Sequence, residues 1–164
     1  MSTSTDAILF YGYCFGDDFD NPPWKVKRNE DGDLEDGYDD EESIYASAVG
    51  VNPPKEEYPV KNDDSDVANE IRLNYSAYWA DKSRVNKESC CEIIRHCSGD
   101  YPMYGVAVSS TVIKAWRGYP KDLKNCDHLI VDVIVNNLLK NYCEKMGIDV
   151  TGLEPSWWMV SYWG

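Results

Sequence analysis

The sequence predicts an α+β domain: an antiparallel sheet with helices on one face, in the split βαβ or ferredoxin-like order, carrying a long acidic insertion after the first strand. Three observations point there. The apolar stretch DAILFYGYCF near the amino end breaks at Gly16 into a region rich in Asp, Glu, Pro, Gly and Asn that lasts until about Asp66. Two segments of helical periodicity then flank a pair of strand-like runs. An aromatic tail, EPSWWMVSYWG, closes the chain. With 164 residues, 43% of them hydrophobic, one domain spanning 1–164 is expected, with 16–66 as its insertion.

Each element has a local reason. Residues 6–15 concentrate aromatic and aliphatic side chains and stop at a glycine, as a buried strand does. Within the insertion, NPPW (21–24) and NPP (52–54) break regular structure, while SIYASAVGV (43–51) suits either a short strand or a helical turn. Val67, Ile71, Tyr75, Tyr78 and Trp79 fit a helical stripe. Ile71, Leu73, Tyr75, Ala77 and Trp79 alternate as a strand would, but the pattern persists for about four turns and Ser65-Asp66 offers an N-cap, so a helix is expected. CEIIRHC (91–97) and MYGVAVSSTVIKAWRG (103–118) flank the turn SGDYP, the mark of a hairpin whose second strand bends near Ser109 and Ser110. DHLIVDVIVNNLLKNYCEKM (127–146) sets Val131, Val135, Leu138, Leu139, Tyr142 and Met146 on one face and ends at Gly147, an amphipathic helix with a glycine stop. The tail is expected as a closing strand, with Trp157 and Met159 on one face, Trp158, Val160 and Tyr162 on the other, and its aromatics in the core.

The chemistry that the chain could carry is narrow. No run of about 18 apolar residues and no basic leader with a cleavage site is present, so a soluble, intracellular protein is expected. Cys14, Cys90, Cys91, Cys97, Cys126 and Cys143 have none of the spacing of a secreted disulfide framework and read as reduced, mostly buried thiols. Cys90, Cys91, His96 and Cys97, or Cys126 with His128, lack the paired spacing that holds tetrahedral zinc. No local signature selects a nucleophile, and no GxGxxG or GxxxxGK[ST] is present to cradle phosphate. A non-enzymatic protein with no cofactor is expected.

Charge is the most informative feature. The net charge is −13. Residues 1–66 hold 18 acids against 5 bases, and residues 67–164 hold 11 against 11, so the whole surplus lies in the first two-fifths. Its centre, RNEDGDLEDGYDDEES (28–43), has nine carboxylates and one arginine. Asp31 can be counted as the first position of a calcium loop, but Asp36 then stands where the sharp turn needs glycine. Loose divalent-cation binding is the weaker alternative.

Imitation of nucleic acid is the stronger one. An extended chain over 17–42 presents an acid roughly every 7 Å, against one charge per about 1.7 Å of duplex axis. Doubling the segment back and pairing two copies across a two-fold axis would remove that deficit, so a homodimer is expected. The candidate binding residues are Asp31, Asp33, Glu35, Asp36, Asp39, Asp40, Glu41 and Glu42, with Asp17, Asp18 and Asp20 behind them; Trp24 and Tyr38 are expected to pack the segment down.

The segments STDAILFYGYCFGDD, HCSGDYPMYGVAV with AWRGYP, and PSWWMVSYWG resemble small acidic accessory proteins of tailed bacteriophages. In size and acidity the chain is similar in kind to the DNA-mimicking inhibitors of bacterial DNA gyrase found in Pseudomonas phages. The resemblance implies a protein of the host bacterial cytoplasm that occupies the DNA groove of a host DNA-binding enzyme, gyrase first, without contacting nucleic acid or membrane itself. An anti-restriction or anti-CRISPR inhibitor of the same electrostatic type is the alternative, followed by a divalent-cation-binding or virion accessory protein.

Overall fold

A computed structural model of the chain describes residues 5–15, 22–24, 41–61, 65–98, 102–123 and 133–163. Among them are a five-stranded mixed sheet and three α-helices. The chain divides into two compact units, Met1–Glu35 with Ser89–Gly164, and Asp36–Glu88.

The first unit contains β1 (Thr5–Cys14), β2 (Cys91–Ser98), β3 (Pro102–Val108), β4 (Ile113–Ala115), α3 (Val133–Met146) and β5 (Ser156–Trp163). β1 is its organising strand. One edge of β1 pairs antiparallel with the whole of β5, from Thr5↔Trp163 to Gly12↔Ser156. The other edge is shared: residues 12–14 pair with β3 and residues 7–9 with β4. Between those two contacts the chain makes a 3-10 turn, Ser109–Thr111, where the sequence pattern placed a bend. The Tyr11 amide would lose its ladder partner there, and Thr111 replaces it: Thr111 Oγ1 accepts from Tyr11 N at 3.0 Å and donates to the Val108 carbonyl at 2.7 Å. β2 pairs antiparallel with β3 and, in parallel, with the end of β5 at Cys97↔Tyr162 and Ser98↔Trp163. The pairings β1–β3–β2–β5–β1 therefore close on themselves.

Alternation along β1 sends Ile8 and Phe10 inward, where they meet Ile94 and Ala107, with Cys14, Val112 and Val160 packed around them. Gly12 lies so close to β3 that an added Cβ would overlap the Val106 carbonyl oxygen, and the strands meet there only because the side chain is absent. α3 packs against β3 and β2, burying Leu139, Tyr142, Cys143 and Met146. The Tyr11 hydroxyl donates to Asn136 Oδ1 at 2.9 Å and ties α3 to β1. The helix stops as its sequence indicates: Gly147 adopts φ 69, its amide donates to the Glu144 carbonyl, and Ile148 N donates to the Cys143 carbonyl at 2.8 Å. Residues 127–132 of the expected helix lie outside the described residues.

The tail is a strand, as expected, but its burial does not alternate and its aromatics are not core. Trp158, Tyr162 and Trp163 are 37–41% exposed and Met159 is 73% exposed. An indole N–H needs an acceptor, and Trp158 Nε1 finds one in the Gly12 carbonyl at 3.1 Å, which holds the ring at the boundary. Trp157 packs edge-on against Tyr11 with ring centroids 5.5 Å apart.

The second unit contains α1 (Glu41–Ala48) and α2 (Asp66–Glu88). SIYASAVGV resolves as helix followed by a turn, with Gly50 at φ 90 and Val51 N donating to the Ala46 carbonyl at 2.8 Å. Ser65 is the N-cap of α2: its hydroxyl accepts from Ala68 N at 3.2 Å. α2 buries Ala68, Tyr78 and Lys82. The chain after α1 is fastened to α2, since Tyr75 OH donates to the Glu56 carbonyl at 3.0 Å, Arg72 Nη2 to the Val60 carbonyl at 3.1 Å, and Tyr58 meets Tyr75 edge-on at 5.1 Å.

Candidate functional site

Of the acidic residues expected to form a binding surface, Asp17, Asp18, Asp20, Asp31, Asp33, Glu35, Asp36, Asp39 and Asp40 lie outside the described residues, as does Tyr38. Glu41 and Glu42 are described and form the first turn of α1. Carboxylates are favoured at that end of a helix because the unpaired N–H groups carry partial positive charge. Glu42 is exposed and Glu41 half-buried.

Both flanks of the acidic run are anchored. On the amino side, Trp24 is 8% exposed and packs edge-on against Tyr104 of β3, with centroids 4.9 Å apart. On the carboxyl side, the Glu42 carbonyl accepts from Asn86 Nδ2 at 2.9 Å, and Ser43 Oγ accepts from Lys82 Nζ at 2.7 Å. Tyr45 and Ala46 are buried in the same unit. Trp24 is thus buried against the sheet, while the acidic segment it was expected to pack down lies outside the described residues.

Lys82 had no signal in the sequence. Lysine is rarely buried, yet Lys82 is 4% exposed, with its ammonium 5.2 Å from the centre of the Trp79 ring. The only clue available was its place four residues after Tyr78 on the buried side of α2.

Among the described residues, the Cys14–His96 contact is not an activated nucleophile; Cys126 and His128 lie outside them. Cys14 Sγ lies 3.5 Å from His96 Nε2 beside the sheet's apolar centre. Burial raises the Cys14 pKa and lowers that of His96, so both are driven toward their neutral forms, opposite to a thiolate-imidazolium pair. Burial likewise pushes Cys91 and Cys143 up to about 12. No group of three or more His, Cys, Asp or Glu positioned to hold a metal occurs among the described residues. No helix among them is long and apolar enough to cross a membrane. No protein-family model, no curated protein and no solved structure matches the chain.

Proposed function

We propose that the protein is a phage-encoded DNA mimic, homodimeric and non-enzymatic, that works in the host bacterial cytoplasm by occupying the DNA groove of a host DNA-binding enzyme, with DNA gyrase the favoured target. The observation that carries this reading is the concentration of the net charge in residues 1–66, whose centre, residues 28–43, sets nine carboxylates against one arginine and lies between Trp24, packed on Tyr104, and the body of α1. A dense negative surface is drawn to a basic groove by the same long-range field that guides DNA there. An inhibitor of restriction or CRISPR nucleases would use the same electrostatics.

The antiparallel pairing of β1 with β3 and β5, and of β3 with β2, supports the strand order of a split βαβ arrangement; the parallel contact of β2 with β5 is an addition to that order, and the crossover helix α2 lies in the second unit.

The test is inhibition of gyrase supercoiling by the wild type and by a variant carrying Asp39→Asn, Asp40→Asn, Glu41→Gln and Glu42→Gln. The wild type should inhibit, less as salt rises, and the folded variant should not. Equal inhibition by both would exclude this surface.

A further inference from the structure

We infer that the apolar patch around Met159, on the outer face of the first unit's sheet, is the surface through which two copies of the chain pair, Met159 of each copy seated in a hollow of the other. Residues directly opposite one another in neighbouring strands share a face. The pairs Ala7↔Ala115, Leu9↔Ile113 and Leu9↔Met159 therefore set five apolar side chains together, on the face turned away from Ile8 and Phe10. α3 reaches that face only as far as Tyr11, where Asn136 accepts from the hydroxyl. Short of it, the five side chains and Leu123 line a hollow of about 100 Å³, with Met159 at its edge 73% exposed.

The shape of the patch favours a second copy over an unrelated protein, because a knob and a hole stand side by side in it. Methionine is unbranched and adapts to irregular gaps, and the lining of the hollow includes two alanines that leave room for it. A two-fold axis through the patch lets each Met159 fill the other copy's hollow, the reciprocal contact that an isologous interface requires.

Charge favours the same occupant. The chain carries −13 overall, yet among the described residues no carboxylate lines the hollow and Lys121 is its one charged residue. Two copies that repel each other elsewhere meet the least opposition here.

The extent of the patch suits a dimer as well. Residues 116–120 join two lining residues, Ala115 and Lys121, and so border the hollow. They form a turn fixed in advance: Gly118 adopts φ 80, Tyr119 N donates to the Trp116 carbonyl at 2.9 Å, and Arg117 N donates to Asp6 Oδ1 at 2.9 Å. Trp116 and Tyr119 stand on it 60% and 75% exposed, and Trp163, on the Met159 face of β5, is exposed too. At about 200 Å² for a large side chain, these three rings with Met159 and Leu123 leave roughly 600 Å² bare in each copy. That is the upper limit for a monomer and most of the about 800 Å² that each partner gives to a standard interface. The inference rests on the proposed function for the existence of a dimer, and on the patch alone for where its two halves meet.

The experiment is sedimentation equilibrium of the full chain over a concentration series, with the wild type, Met159→Glu, Ala7→Leu and Met159→Leu. The wild type should dimerise. Met159→Glu puts charge into the contact and Ala7→Leu fills the hollow; each change occurs twice per dimer and should raise the dissociation constant at least tenfold. Both positions are exposed, so circular dichroism should show the fold kept, and Met159→Leu should retain the dimer. Hydrogen peroxide should oxidise Met159 more slowly in the dimer than after dilution to monomer. A wild type still monomeric at about 100 μM overturns the interface and the dimer of the proposed function together. Dimers that persist in both Met159→Glu and Ala7→Leu, or oxidation of Met159 at a rate that dilution does not change, overturn this interface and leave dimerisation elsewhere. A wild type that dimerises through the patch but does not inhibit gyrase removes the functional reading and supports the interface.

Discussion

Lys82 Nζ stands 2.7 Å from Ser43 Oγ and joins two helices through residues 39 positions apart, at a site where the lysine is 4% exposed. A buried ammonium that loses an acceptor bears a desolvation cost of about 1–3 kcal/mol. Ser43→Ala is therefore expected to destabilise the α1–α2 unit by about 1–2 kcal/mol. Hydrogen exchange at the amides of residues 44–48 should register it as faster opening. Lys82→Met, which keeps the apolar stem, should cost less than Lys82→Ala.

Gly12→Ala should be among the most damaging single substitutions in the first unit. The new methyl group would collide with the Val106 carbonyl, a backbone atom that cannot rotate away, and the contact between β1 and β3 would have to part. A loss of about 3 kcal/mol is expected, seen as a lower urea midpoint with an unchanged slope.

Alkaline pH should destabilise the first unit. Cys91 and Cys143 have folded pKa values raised from 9.0 to about 12 by burial. In the unfolded chain these thiols ionise near 9 and release protons that the folded chain retains. Their contribution is complete below about pH 9 and is lost as pH rises toward 12, at about 1.4 kcal/mol per pH unit for each thiol. Thermal melts across that range should show the fall, and Cys143→Ala should make it shallower. At neutral pH a thiol reagent should modify exposed Cys90 well before Cys91 or Cys143.

His96 sets the acid side. Burial lowers its pKa, so the folded protein holds a neutral ring that the unfolded chain would protonate near pH 6.5. Stability from this residue is complete above about pH 6.5, falls as pH drops below it, and levels off once the folded ring titrates as well. His96→Gln should flatten that part of the stability curve.

Trp24→Ala should weaken partner binding by about tenfold without touching any carboxylate, because it removes the ring packed on Tyr104 and frees the amino flank of the acidic run. Gyrase inhibition measured beside the acid-to-amide variant separates loss of an anchor from loss of charge.

Much of the architecture was legible because local rules govern it. Ser65 as an N-cap, Gly147 as a stop and the bend at Ser109 each depend on a few neighbouring residues. The closing contact of β2 with β5 is two register pairs between strands far apart in sequence, and alternation along either strand says nothing about its neighbour. The same limit hid the burial of Lys82, which exists only once α1 is packed against α2. The tail misled for another reason. Six apolar or aromatic side chains in eight residues suggest a core strand, but hydrophobicity does not reveal that Ile8, Phe10 and Ile94 already fill the interior.

The long reach of the β1–β5 pairing governs how the protein is made. The two helices of the second unit rest on local contacts and can form early, whereas β1 must wait for a strand about 150 positions away, a delay that grows with sequence separation. Until β2 and β3 bring Ile94 and Ala107 against them, Ile8 and Phe10 remain uncovered on a sticky β-forming stretch. Asp17, Asp18 and Asp20 follow directly in sequence, and like-charge repulsion between chains at that point discourages premature association. Acids at this position thus guard the newborn polypeptide before any partner is met.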